Sequence, residues 1–450
     1  MRPQIIALVA ASCLAFPAFA QETKLPAEWT LENCIRYAQE NNITLKQREQ
    51  EEQQKKVELH TSRFSWLPTL NASLNQNFDF GRSPSRTGVI ADQNSANTSF
   101  SINLSMPIFD GLKTPNDIAA KKLDLKAATE GLNKAREDLA VNIASYFLQV
   151  LYNQELESVA QLQVDYSADQ VVKTEAMVKA GKQPLSELYN MKAQLAKDEV
   201  TLTESQNNVR LALLDLAQAL ELERLESQFN VSAPEIADPI ERYMSGILPP
   251  DDVYSHALAF KPQIRQQEYL LQSSKKQLRV AQSYYYPQIS FGASYSNGYY
   301  HYYTGDIESL PFSDQINQNG RKTIGFTLSI PLFNRFQVRN SVRSARIAIR
   351  NQELLMEDTK KTLYKEIQQA YYNAIAAQKK YESAGKSVTA TKEAFDYAED
   401  KYAAGKSTVF EYNEAKTKYA QSLAEEAQAK YEYIFRVKIL EFYDGKELAL

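Results

Sequence analysis

Trp66-Leu67-Pro68-Thr69-Leu70-Asn71-Ala72-Ser73 decides the fold, because it returns later as Tyr285-Tyr286-Pro287-Gln288-Ile289-Ser290-Phe291-Gly292. In both, an aromatic residue and a proline precede a run in which apolar and small polar residues alternate. Two more landmarks repeat in the same order. Phe100-Ser101-Ile102-Asn103-Leu104-Ser105-Met106-Pro107-Ile108-Phe109 is matched by Gly325-Phe326-Thr327-Leu328-Ser329-Ile330-Pro331-Leu332-Phe333. Ala180-Gly181-Lys182 followed by Glu187 is matched by Ala404-Gly405-Lys406 followed by Glu411. Pro287 follows Pro68 by 219 residues, while Pro331 follows Pro107 and Gly405 follows Gly181 by 224. That period is near half the 450-residue chain, too long for a solenoid repeat. It marks a duplicated unit.

Each copy holds two strand-like runs. Pro68 forces the chain to extend, and Leu70, Ala72, Leu74, Phe78 and Phe80 then alternate with Asn71, Ser73, Asn75, Asn77 and Asp79. After a polar loop from Gly81 to Asn97, Phe100, Ile102, Leu104, Met106 and Ile108 alternate with Ser101, Asn103 and Ser105. In the second copy Ile289, Phe291, Ala293 and Tyr295 form one such set, and Ile324, Phe326, Leu328 and Ile330 the other. Period two gives strands with one apolar and one wet face. Runs of about 9–11 residues suit a tilted strand crossing a hydrocarbon core. Hairpins on a soluble core are the other reading, but that core would have to cover four such faces, and the helices have seams of their own. Trp66, Tyr284, Tyr285 and Tyr286 precede the strand starts, at the depth of an interfacial aromatic belt; ordinary core packing is the alternative. Tyr299, Tyr300, Tyr302 and Tyr303 read as an external loop that closes the mouth, binds carbohydrate or packs on neighbouring loops.

Helices fill the rest. Thr30 is an N-cap candidate for a helix running to about Arg63 with a break near Asn41-Asn42. From about Leu112 to Ala180 the heptad-spaced Leu125, Leu132, Leu139 and Tyr146, with Ala128 and Ala135, mark a coiled-coil-like seam. Gly181-Lys182-Gln183-Pro184 then turns the chain, with the glycine past one helix end and the proline just inside the next start. The organisation that follows is a signal peptide over 1–20 and a first repeat over 21–228, with strands at about 69–80 and 98–109 and a helix pair at about 112–224. An irregular, proline-rich segment occupies 229–262, with a short helix near Asp252 to Ala259. A second repeat covers 263–443, with strands at about 288–297 and 322–332 and a helix pair at about 338–442, before a tail at 444–450.

The signal reading rests on Arg2, the apolar run from Ile5 to Phe16 and Ala18-Phe19-Ala20. Lipidation at Cys13 is a second reading of that stretch. Removing it leaves Cys34 alone, so no internal disulfide forms. A net charge of −4 without basic blocks argues against nucleic acid. The chain is expected to use no cofactor or metal and to perform no catalysis. His60, His256 and His301 are isolated, and Gly385-Lys386-Ser387 and Gly405-Lys406-Ser407 lack the rest of a phosphate loop.

Four strands cannot close a barrel, and open edges are not tolerated in lipid. Eight strands from two chains would be filled by side chains, whereas twelve from three leave a lumen for the polar faces. The paired Pro68/Pro287 strand starts, the Met106-Pro107-Ile108-Phe109 and Ile330-Pro331-Leu332-Phe333 strand ends and the Gly181/Gly405 turns, in that order, resemble the TolC-type outer membrane efflux proteins over essentially the whole mature chain. The resemblance implies a mainly α fold with membrane β: a homotrimeric 12-stranded β-barrel continuous with a periplasmic α-helical barrel, girdled by an equatorial collar. It implies a passive exit duct in the outer membrane lipid. The partners would be a periplasmic adaptor (membrane fusion) protein and an inner-membrane transporter of RND or ABC type, for efflux or type I secretion.

The resemblance also places the periplasmic entrance at the helix tips, narrowed by Glu187 and Glu411, with Glu414 a turn further. Rings of these carboxylates would repel one another, raise some pKa values and favour cations; a solvated helix face is the plain alternative. Tyr402 matches a tyrosine of the family's gating network. Ser407 replaces its usual basic partner, which leaves Lys406 as the nearby cation. Gly181, Lys182, Gly405 and Lys406 would present the tips to the adaptor, although Ala-Gly-Lys departs from the family's Val-Gly-Leu. The rival from another class is a soluble periplasmic coiled-coil scaffold or adaptor.

Overall fold

The computed structural model describes residues 28–84, 90–92, 94–222, 229–232, 248–304 and 309–448. The signal-peptide stretch, Cys13 and the apolar residues Ile236, Ile240, Tyr243, Met244 and Ile247 of the connecting segment lie outside them. The duplication is visible in element lengths. The first copy runs α1 (Leu31–Asn41), α2 (Ile43–Phe64), β1 (Thr69–Asp79), a small hairpin β2 (Arg82–Pro84) and β3 (Ile90–Asp92), β4 (Ser95–Phe109), α3 (Lys113–Lys179) and α4 (Leu185–Ala219). The second runs α5 (Pro250–Phe260), α6 (Pro262–Ser283), β5 (Gln288–Tyr302), α7 (Phe312–Gln318), β6 (Arg321–Ser329), α8 (Gln337–Ala403) and α9 (Val409–Tyr443). Helices of 11, 22, 67 and 35 residues recur in that order in both. At 1.5 Å per residue, α3 and α8 each reach about 100 Å.

Local chemistry sets the breaks. Thr30 caps α1, its hydroxyl accepting from the Asn33 N–H at 3.3 Å, and the Asn42 side chain caps α2 through the Leu45 N–H at 3.1 Å. Both strand-to-helix turns use left-handed backbone: Gly111 (φ +69) and Leu112 (φ +65) before α3, Arg335 (φ +50) and Phe336 (φ +60) before α8. A Cβ at position 111 would lie 2.4 Å from the Ser283 carbonyl, so only glycine fits there. Leu112, Arg335 and Phe336 have no such freedom, and each such residue costs about 1–2 kcal/mol.

The four long strands form one antiparallel sheet in the order β1-β4-β5-β6, so the β4–β5 ladder joins the two copies. Its register sorts the side chains. Leu70, Leu104, Ala293 and Ile324 stand in one row across the sheet, and Asn71, Asn103, Ser294 and Thr323 in the next row on the opposite face. One face is apolar, the other lined with serine, threonine and asparagine. The apolar face is bare: Leu74 is 73% exposed and Phe326 72%. Among the described residues, the outer edges of β1 and β6 are unpaired.

Below the sheet the helices form one layer, α2–α3–α6–α8 near the strands and α4–α3–α9–α8 further down. Between these levels lie two cores. Cys34, Phe147, Leu216 and Leu220 form one, to which Trp29 and Val231 bring a short backbone bridge; Val253, Ile264, Ile367 and Leu440 form its counterpart. Burial pushes the Cys34 thiol up to about 12. No helix among the described residues is long and apolar enough to cross a membrane, which says nothing of the sheet.

Two expectations are corrected here. Tyr299, Tyr300 and Tyr302 belong to β5, and only Tyr303 lies past its end. β5 outruns β6, and α7 covers the remainder. Gln315 exchanges two bonds with the Tyr300 backbone at 2.8 and 2.9 Å, and Asn319 donates to the Gly298 carbonyl at 2.7 Å. These side chains satisfy the backbone groups that a longer β6 would have paired. The seam of α3 also differs: Leu132 is buried, but Tyr146 is 42% exposed. α3 touches α1, α2, α4, α6 and α9, so its buried surface moves around the helix instead of following one stripe.

Candidate functional site at the helix tips

The two turns at the far end of the helical layer share one backbone. Gly181 (φ +71) donates to the Val178 carbonyl and Lys182 to that of Met177; Gly405 (φ +70) donates to Tyr402 and Lys406 to Lys401. Each is a Schellman ending, which needs a left-handed residue where the glycine sits. The returning helices start differently. Pro184 occupies the N-cap position of α4, one place outside the helix, and supplies no side-chain cap. Thr408 caps α9: its hydroxyl accepts from the Glu411 N–H at 3.3 Å, and the Glu411 carboxylate accepts from the Thr408 N–H at 3.4 Å.

The duplicated glutamates therefore have different surroundings. Glu411 is exposed and held in its capping box. Glu187 is half-buried, and one of its carboxylate oxygens is fully buried without a hydrogen-bond partner among the described residues. Glu414 is exposed and pairs with Lys418 one turn on at 2.7 Å. Lys182 and Lys406 are exposed at the turns.

Tyr402 is 1% exposed, and its hydroxyl meets the Thr174 hydroxyl of α3 at 3.2 Å. Thr174, rather than Lys406, is thus its bonding partner. Tyr402 sits among Met191, Phe395, Val409 and Tyr412, its ring 5.5 Å from that of Tyr412. Burial raises the Tyr402 hydroxyl above its ordinary pKa, the Thr174 bond opposes this, and the Glu187 charge adds to it. The chain end of α8 is in this way fastened to the first copy.

A second fastening lies further from the turns and is absent from the sequence reading. Lys416 of α9 is 1% exposed and forms a short ion pair with Asp198 of α4, with Ser167 of α3 bonded to both. Gln194 donates to the other Asp198 oxygen at 2.8 Å. Burial lowers the Lys416 pKa, and Asp198 works against that shift. The available signal was a charge on a buried stripe: Asp198 follows Leu188 and Met191 on α4, and Lys416 follows Val409 and Tyr412 on α9.

At the opposite end, Trp66 is half-buried and Tyr284, Tyr285 and Tyr286 are exposed, all in the turns between helix and strand. Lys113 lies over the Tyr284 ring at 5.2 Å.

A sheet with one bare apolar face, standing on a layer of long helices, fits the class of outer membrane channels. The sequence matches the outer membrane efflux protein family over residues 34–221 and 253–446, and the chain belongs to that family. No curated protein matches it. Among solved structures, CusC has a TM-score of 0.74 at 15% identity, covering 94% of each chain. The CmeC outer membrane channel of Campylobacter jejuni has 0.73 at 19% identity, covering 96% of this chain and 92% of that one. The MtrE outer membrane channel of Neisseria gonorrhoeae, in its open state, has 0.72 at 17%, covering 93% and 89%. These likenesses show the fold: mainly helical, with a small sheet in a duplicated unit. The chain is an outer membrane efflux protein.

Proposed function

We propose that the chain is a passive exit duct of an efflux or secretion system and works as a trimer. One observation carries this reading: a four-stranded sheet with a bare apolar face, a polar opposite face and two open edges. β1 and β6 run in opposite directions, so β1 of one copy can pair antiparallel with β6 of the next. Three copies close twelve strands around a wet lumen, and lipid covers the outside. The four helices at each level continue as a twelve-helix tube into the periplasm. Its tips receive a periplasmic adaptor and an inner-membrane transporter of RND or ABC type, which supplies the energy. A soluble scaffold leaves the apolar face without a cover.

The tip glutamates would bias entry toward cations. Recovery from outer membranes only with detergent, as a trimer conducting small cations in a planar bilayer, is the expected result. Recovery in buffer as a monomer or dimer would sink the duct. Glu187→Ala with Glu411→Ala should weaken the cation preference; unchanged selectivity removes the entrance role and leaves the fold standing.

A further inference from the structure

At the strand end of the helices, the last turn of α6, the first turn of α3 and the first three turns of α8 enclose a cavity of about 940 Å³. Arg279, Arg339, Arg343 and Arg346 line it, and among the described residues no acidic one does. The last three share one face of α8 by their i, i+4, i+7 spacing. Arg279 donates to the Gln282 side chain at 3.3 Å and Arg339 lies over the Phe336 ring, yet among the described residues none of the four is ion-paired. Four guanidinium groups around one open space repel one another, and their planar forks match phosphate oxygens.

The direction in which the cavity opens follows from helix geometry. Gln282 lies eighteen residues, or five turns, from Ile264, which packs on α5. Arg346 lies eighteen residues from Tyr364, whose ring meets that of Tyr254 on α5 at 5.1 Å. The cavity therefore shares the face of the helical layer that carries α5. In a duct α5 must sit outside, because inside it would obstruct the lumen; this step rests on the function proposed above. The height is fixed as well. Tyr285, Tyr286 and Phe336 form the upper rim; the Phe336 ring lies 5.7 Å from that of Phe333, and Leu332, the residue before Phe333, is 92% exposed. Apolar surface above and cations below is the polarity order of a phospholipid.

We propose that this cavity holds the phosphate-bearing headgroup of an anionic phospholipid in the periplasmic leaflet, with its acyl chains against Leu332 and Phe333. The test uses the purified trimer in nanodiscs of phosphatidylcholine containing a minor fraction of phosphatidylglycerol, with retained lipid counted by native mass spectrometry. Wild type should retain phosphatidylglycerol selectively. Arg343→Gln should lower that retention about fivefold, and R339Q/R343Q/R346Q much further. Arg350→Gln, outside the cavity lining and paired with Glu353 at 3.0 Å, should leave it unchanged. Unaltered selectivity in the triple variant overturns the proposal. So does a wild type without lipid selectivity whose thermal stability in lipid-free detergent rises with inorganic phosphate, which would assign the cavity to a free anion. Bilayer conductance separates the two readings. A conducting trimer without lipid selectivity loses only the lipid site, whereas a chain that neither trimerises nor conducts loses the duct.

Discussion

The two helix tips end alike and begin differently. Gly181 and Gly405 close their helices with the same left-handed turn, but α4 then starts from an uncapped Pro184 and α9 from the Thr408–Glu411 capping box. Duplication preserved the glutamate and changed its work. At the second tip the carboxylate fixes a helix start. At the first, one carboxylate oxygen is buried without a hydrogen-bond partner among the described residues, and the charge acts on the Tyr402 hydroxyl. A shared sequence position is thus a poor guide to shared function once a neighbouring residue can claim the side chain.

The largest effect is expected from cutting the contact that holds the two tips together. Lys416→Met leaves the Asp198 carboxylate buried and uncompensated, so denaturant unfolding of the solubilised protein should show a loss of about 3–5 kcal/mol. Adding Asp198→Leu should return most of it. A single variant as stable as wild type would mean the ion pair does not join the helix pairs. Next come the turns. Gly181→Ala and Gly405→Ala should each cost about 1–2 kcal/mol, and equally, because beyond the adjoining residues nothing described lies within 4 Å of an added Cβ at either site and only backbone strain remains. Unequal losses would contradict the identity of the two endings. The smallest effect sharpens the difference. Thr408→Ala should cost about 1 kcal/mol and speed amide exchange in the first turn of α9. Pro184→Ala, which removes no cap, should leave exchange in α4 nearly unchanged.

The parts legible in the sequence were those that depend on near neighbours in the chain. Leu70 to Phe80 alternate whatever they pair with, and a glycine between two long apolar-striped segments signals a left-handed turn by itself. Residues set by distant partners were harder. Tyr299 to Tyr302 read as a loop because the strand they extend is bonded on one side by Gln315 and Asn319, which have no strand pattern. Tyr146 fitted a heptad but faces away from the neighbours that α3 happens to have. Asp198 and Lys416 lie 218 residues apart, and only the packing of α9 against α3 and α4 brings them together.

The lengths of the strands have a mechanical meaning in the proposed trimer. β4 and β5 have 15 residues each, whereas the edge strands β1 and β6 have 11 and 9. At about 3.4 Å per residue the ladder inside a chain runs roughly 50 Å, and one between chains could run only about 30 Å. The wall would be assembled like a cask from broad staves joined along short seams. Under load it should part between chains first, each stave keeping its own four strands, with α7 filling the notch above every seam.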